Sequence, residues 1–386
     1  MSSPGSAKEL PRFWSGLSPE WCLTLILLAC TRLALTLIGV LSRAIVLPLH
    51  HPLSVFQYSH HPFLDIWGVW DTGWYMQIAH TGYDPSSQTA MALPGQSDFA
   101  FFPLYPLLSR LVGWIIRSDY IAGLLISNAC LIAASVLLYR LARLDHDEST
   151  ARRAVEYLYV FPMAFILSGF YTESLFLALI LACMYCARTE RWLLCGALGL
   201  LASLTRSTGV LLLIPVCIEY LSCRGFQWRR IRWDSASLLL IPLGVCLFGA
   251  YCYELTGDFL AFSHAQAAWG RGWSDPAWTL WSSLWGPGIN ERFSGWFALI
   301  FLIVLIYGVG TVRWSYWTLG LVLIITPLAT GSPMSMARFL VPIFPLYLVM
   351  ARMSEEGRFH QAIVLFLALF QGCLMLLWTN GFVITI

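Results

Sequence analysis

The run WCLTLILLACTRLALTLIGVLSRAIVL, Trp21–Leu47, holds two charged groups, Arg32 and Arg43, in an otherwise largely apolar stretch. A bilayer core about 30 Å thick takes roughly 20 apolar residues of helix, so this stretch has the length and character of a spanning segment. Similar stretches recur to the C-terminus. Spans are expected at about 21–47, 121–139, 154–170, 172–187, 192–205, 207–222, 235–255, 296–311, 315–330, 338–351 and 361–380. With 58% hydrophobic and 11% charged residues and a mean hydropathy of +0.69, the composition lies far from that of a soluble domain. Lipid offers the backbone no hydrogen bonds, so helices are the expected form. The expected fold class is an all-α polytopic membrane protein, one integral membrane domain over residues 1–386 with about 11 transmembrane helices. The first span is too long for a signal-peptide core and is expected to be retained, and the apolar C-terminus reads as the last helix.

The net charge is only +2, but its placement is informative. Basic residues fall at Lys8 and Arg12, Arg140–Arg153, Arg188 and Arg191, Arg224–Arg232, Arg313, and Arg352 and Arg358, in alternate breaks between spans. By the positive-inside rule those breaks are cytoplasmic. Residues 48–120 then form the first non-cytoplasmic loop. The stretch 44–109, running from the end of the first span into this loop, has no Lys or Arg, but has five histidines with Asp65, Asp71, Asp84 and Asp98. A second long non-cytoplasmic loop, 256–295, is rich in Trp and Gly and carries His264, Arg271, Asp275 and Arg292. Loops of this length are often functional. The short spans meeting at Gly169–Glu173 and at Thr205–Ser207 are expected to stop below the surface and leave a cavity at their tips.

Chemistry concentrates in the first loop, at Trp70-Asp71-Thr72-Gly73-Trp74-Tyr75. An aspartate held beside Trp70 and Trp74 at the membrane interface is partly desolvated, which strengthens it as a base toward a sugar hydroxyl, and the indole faces suit a sugar ring. Asp71 is equally well placed to be the N-cap of a helix running through Trp74 to His80. Glu173 at the tip of a hairpin is either an acceptor-binding or acid/base group or the structural ion-pair partner of Arg206. Arg206 and Arg338 lie at outward span ends, where positive-inside statistics disfavour them. They are candidate phosphate ligands, because a guanidinium presents paired donors; the alternative is snorkelling to lipid headgroups. His264 is a weaker candidate for the same phosphate. Arg32, inside the first span, is unusual; a buried acid such as Glu156 or Glu219 could pair with it, and the sequence does not identify which group does.

Several classes are excluded or disfavoured. There is no basic tract for nucleic acid and no phosphate-binding glycine loop for a soluble nucleotide. The eleven cysteines are scattered through apolar segments and read as small hydrophobes, the CxxC pair Cys183 and Cys186 included. The pairs His50–His51 and His60–His61 lack a neighbouring ligand set, so no metal and no cofactor is expected. Loss of activity in a chelator would contradict this.

Trp70-Asp71, the following IAxxGY at Ile78–Tyr83, FFPLYPLL at Phe101–Leu108, YTESLF at Tyr171–Phe176, LTRSTG at Leu204–Gly209 and ARFLVPIFPLY at Ala337–Tyr347 together resemble the PIG-V type mannosyltransferase family. The resemblance implies a GT-C-like fold and transfer of a hexose, by preference mannose, from a polyprenyl or dolichyl phosphate donor to a lipid or glycan acceptor. It makes Asp71 the best candidate base, and Glu173, Arg206 and Arg338 fall in matching blocks. The chain is shorter than the eukaryotic members, which favours a prokaryotic plasma membrane over the endoplasmic reticulum. A flippase for a lipid-linked sugar needs a similar cavity, but the singled-out polar groups sit at outward helix ends and trace no path across the membrane.

Overall fold

The computed structural model describes residues 17–46, 56–86 and 95–383. Lys8, Arg12, His50 and His51 lie outside the described residues. The chain is an all-α polytopic membrane protein with no strand among the described residues. Among the described residues five helices are long and apolar enough to cross a bilayer: Pro19–Ile45, Asp119–Ala142, the continuous Trp233–Thr256, Ile289–Tyr307 and Gly357–Thr379. Shorter apolar helices, among them Trp192–Thr205, Trp314–Leu328 and Phe344–Met353, pack between them. The long helices turn apolar side chains outward, as Leu33, Leu37, Leu41 and Ile45 do on the first.

The centre is the helix Glu173–Arg188, most of whose residues are buried and which packs against Asp119–Ala142 and Trp192–Thr205. Two expected spans are interrupted. The segment 154–170 is helical only to Val160, and residues 161–172 run on as an irregular strip with a short 3-10 turn at Ala164–Ser168. Pro162 disfavours helix at the residue before it, which accounts for the break. Likewise 338–351 is a short turn, Met336–Phe339, then a helix from Phe344, with Pro342 between them and Pro345 at its start.

The 161–172 strip is stitched to the first expected loop and to the helix Asp119–Ala142. The Phe170 N–H donates to the Trp67 carbonyl at 3.1 Å, Tyr171 Oη to the Val69 carbonyl at 2.6 Å, and Ser127 Oγ to the Gly169 carbonyl at 2.8 Å. The described residues of that expected loop include the helices Thr72–Thr81 and the amphipathic Leu104–Ile116. The second expected loop, 256–295, holds short turns, a helix at Pro276–Leu284 and the start of Ile289–Tyr307.

At the opposite face a buried network ties four chain segments. Arg188 holds Asp145 at 2.5 Å and Glu219 at 3.3 Å; Arg313 holds Glu219 at 2.8 Å, and Ser315 Oγ donates to Glu219 at 2.6 Å. Glu156 is taken by His360 at 2.7 Å. Neither carboxylate pairs with Arg32 as anticipated. Arg32 instead donates to the Ala164 carbonyl at 3.2 Å and lies 5.7 Å from the Tyr159 ring centre. That carbonyl sits in the irregular strip, where Pro162 has broken the helical ladder and left main-chain acceptors open.

Candidate active site

A cavity of about 800 Å³ opens at the hairpin tips, with Phe101, Phe176, Trp269 and Phe339 in its wall. The first expected loop supplies Asp71 from a sharp turn. Trp70 has φ +53°, in the left-handed region, and the helix Thr72–Thr81 starts directly after Asp71. Asp71 occupies the N-cap position but its side chain makes no capping hydrogen bond. Its Oδ2 accepts from Arg338 Nη1 at 2.5 Å instead. Arg338 comes from a turn of the same kind, with Ser335 at φ +67°. The two turns thus aim an acid and a base at each other across 267 residues of chain.

Glu173, fully buried at the start of its helix, lies behind this pair. Its Oε1 takes Arg206 Nη1 at 2.7 Å and lies 3.5 Å from Arg338 Nε. Arg206 also donates to Thr172 Oγ1 at 3.0 Å, so the guanidinium is fixed by two groups of the same helix start. Glu173 Oε2 has no hydrogen-bond partner among the described residues. Arg206 and Arg338 are therefore not snorkelling; they are held inward on carboxylates.

A third guanidinium, Arg271, reaches the cavity from the second expected loop. Its one hydrogen-bond partner here is Gln266 Oε1 at 2.6 Å, and among the described residues no carboxylate lies within ion-pair reach. Burial pushes its pKa down to about 10, with the neighbouring Arg338 and Arg206 charges adding to the effect and Asp71 opposing it. It stays charged at neutral pH, at the cost of desolvation. The loop is roped over the cavity by Gln266 Nε2 to the Ala100 carbonyl (3.1 Å), and by the Gly272 and Ser274 N–H groups to the carbonyls of Thr330 (2.8 Å) and Ala329 (3.0 Å). All three guanidiniums surround one ring: Phe339 lies 5.1 Å from Arg206, 5.1 Å from Arg271 and 5.2 Å from Arg338. Three cations against Asp71 and Glu173 leave one unit of positive charge in excess, a net positive field in a cavity whose wall also holds the Asp71 carboxylate.

The remaining candidates stand apart. Trp74 is buried and does not line the cavity; it stacks on Phe101 at 5.6 Å and meets Trp269 edge-on at 6.2 Å, backing two rings that do. Trp70 packs on Phe56 at 5.2 Å and is likewise outside the lining. His264 is at the wall, but its side chain is 67% exposed and its Nδ1 is 2.7 Å from Asp258 Oδ2. His60 and His61 are exposed, and among the described residues no three His, Cys, Asp or Glu side chains group as a metal site. Sequence places Arg271 in the second loop and Phe339 in a motif but assigns neither a role. The signal for Arg271 was present: it is one of two arginines in a loop on the face where arginine is disfavoured.

Comparison with known proteins bears on this geometry. A crystal structure of ArnT from Cupriavidus metallidurans bound to undecaprenyl phosphate is similar at a TM-score of 0.54 and 13% identity, over 91% of this chain and 63% of ArnT. The two proteins share a fold. It is the GT-C type, and the chain spans less than two thirds of the length of ArnT. A family described as dolichyl-phosphate-mannose-protein mannosyltransferase matches residues 100–253. That stretch, under half of the chain, contains Glu173 and Arg206 but neither Asp71 nor Arg338. No curated protein matches.

Proposed function

We propose that this chain is a membrane glycosyltransferase that moves a hexose, with inversion, from a polyprenyl or dolichyl monophosphate donor to a hydroxyl of a lipid or glycan acceptor. The observation that carries the proposal is the convergence of Asp71, Glu173, Arg206, Arg271 and Arg338 on one cavity with one positive charge in excess. A donor phosphodiester carries one negative charge and meets that excess. Arg271, with no carboxylate of its own, is the first guanidinium available to it, and Arg338 can turn from Asp71 to a phosphate oxygen. Asp71 then accepts the proton of the acceptor hydroxyl while the acceptor oxygen bonds to the anomeric carbon. The bond from that carbon to the phosphate oxygen breaks, and its electron pair leaves on the phosphate. The growing charge there is met by the same three arginines. Glu173 positions Arg206 and Arg338, and Phe101 and Trp269, backed by Trp74, offer faces for the sugar.

The fold shared with ArnT, the undecaprenyl phosphate in that structure and the family match at 100–253 support the donor class. Mannose and kinship with PIG-V type enzymes are proposed from the motifs. The arginine distribution supports a non-cytoplasmic cavity.

The test is transfer of radiolabelled mannose from polyprenyl phosphate mannose into membrane lipids or glycans, with wild type and Asp71→Asn at equal expression. Wild-type transfer that Asp71→Asn abolishes, with the variant still folded, is the expected result. A fully active Asp71→Asn sinks the base assignment. Wild type inert toward every lipid-linked sugar, yet moving them between leaflets of a liposome, sinks the enzyme reading.

A further inference from the structure

The face opposite the cavity carries a segment for which the proposed reaction has no use. FQWRRIRW, Phe226–Trp233, joins the helix Leu213–Cys223 to the span that opens at Trp233. Its apolar side chains turn away from the protein: Trp233 is 96% exposed and Trp228 75%, with Phe226 and Ile231 exposed as well. Arg229, Arg230 and Arg232 are also exposed. The nearby acids are committed elsewhere, since Asp234 and Glu190 both pair with Arg224, at 3.0 and 3.4 Å. Three guanidiniums are thus left without a counter-charge among the described residues.

Position fixes the surroundings. Trp233 is the first residue of a 24-residue span, so it stands at headgroup depth, where indole rings are favoured. Beside it, between the start of that span and the start of the helix Trp192–Thr205, a groove of about 410 Å³ is lined by Leu193, Trp233, Ala236 and Leu240 together with Asp234 and Ser237. Leu193 is itself exposed. An apolar groove descending from an uncompensated cationic patch matches a molecule with an anionic head and an apolar tail.

We propose that this surface binds an anionic phospholipid of the adjoining leaflet, its phosphate among Arg229, Arg230 and Arg232 and an acyl chain along Leu193, Trp233 and Leu240. An acidic protein or a nucleic acid would meet the arginines in water, and would leave Trp233 and the groove unused.

The full chain in nanodiscs of phosphatidylcholine with graded phosphatidylglycerol tests this, read by unfolding midpoint and by native mass spectrometry of retained phosphatidylglycerol. The wild-type midpoint is expected to rise with phosphatidylglycerol. The R229Q/R230Q/R232Q variant is expected to bind it on the order of a hundredfold more weakly, about fivefold per arginine. Trp233→Ala should shorten lipid retention while keeping the preference for the anionic head. If the triple variant does not fold, the three single variants replace it, each expected to lose about fivefold. Equal responses in wild type and variants, or no wild-type response, overturn the proposal. So does equal stabilisation by glycerol phosphate in pure phosphatidylcholine, which would mean that the patch reads phosphate without a lipid. Sugar transfer enters none of these readouts, so the result stands apart from the proposed enzymatic reaction.

Discussion

Phe339 is the residue that explains how three like charges share one small volume. Each guanidinium gains roughly 0.5–1 kcal/mol from the aromatic ring, more when desolvated, on top of its hydrogen-bond partners. Phe339→Leu should therefore raise KM for the lipid-phosphate donor several-fold, with a smaller change in kcat, and Phe339→Tyr should restore it. A variant less stable but with unchanged KM would reduce the ring to packing. Asp71, Glu173, Arg206 and Arg338 were legible in the sequence because a charge flanked by apolar residues demands a partner or a role. Phe339 was not, since one more Phe in a chain with 23 carries no local signal. Its role exists only once three separate chain segments meet. The choice for Asp71 between helix cap and site group was likewise open in sequence, because the N-cap position is satisfied on either reading and only the direction of the carboxylate separates them.

At the scale of elements, the site depends on where the helix Glu173–Arg188 starts. Glu173 is held at its depth by the 161–172 strip, and that strip lies against Gly123 of the helix Asp119–Ala142. A Cβ added at Gly123 would come within 2.1 Å of the Phe170 ring. The ring has no room to retreat, being fully buried and packed on Tyr105 at 5.2 Å and on Tyr120 at 5.7 Å. Gly123→Val should cost about 1–3 kcal/mol by overpacking. It should also lower transfer beyond the loss of folded protein, because the tip carrying Thr172 and Glu173 must shift; thermal melts and activity per folded molecule would show both. The helices Trp192–Thr205 and Glu173–Arg188 were readable to within a residue, as apolar runs closed by charged or polar residues at both ends. The strip was misread as helix because its composition, FPMAFILSGF, is as apolar as a span. Only Pro162 and Gly169 hint that burial there is by protein contact and not by helical regularity.

Across the whole molecule the charges settle at two ends with opposite bookkeeping. At the far face Arg188 and Arg313 are balanced by Asp145 and Glu219, a neutral clamp, whereas the cavity keeps an excess of one. Removing the buried Glu219 charge with Glu219→Gln leaves Asp145 alone against two guanidiniums, and a loss of about 3 kcal/mol in unfolding free energy is expected, the low end for a broken buried pair because Asp145 still holds Arg188. Donor affinity of the folded fraction should be unchanged, since the clamp shares no partner with the cavity. The cavity should answer in the reverse sense. Asp71 and an incoming phosphate compete for Arg338, so removing the Asp71 charge raises the excess from one to two. Asp71→Asn is thus expected to bind polyprenyl phosphate tighter, on the order of tenfold at the effective dielectric of a partly buried pair, while losing transfer. Equilibrium binding of polyprenyl phosphate to wild type and variant, with no acceptor present, measures this directly. If binding instead weakens in step with stability, the Asp71–Arg338 pair is a brace for the fold. Tighter binding without turnover would mean that the acid and the donor take turns on one arginine, so that the donor, by arriving, frees the carboxylate for the acceptor hydroxyl.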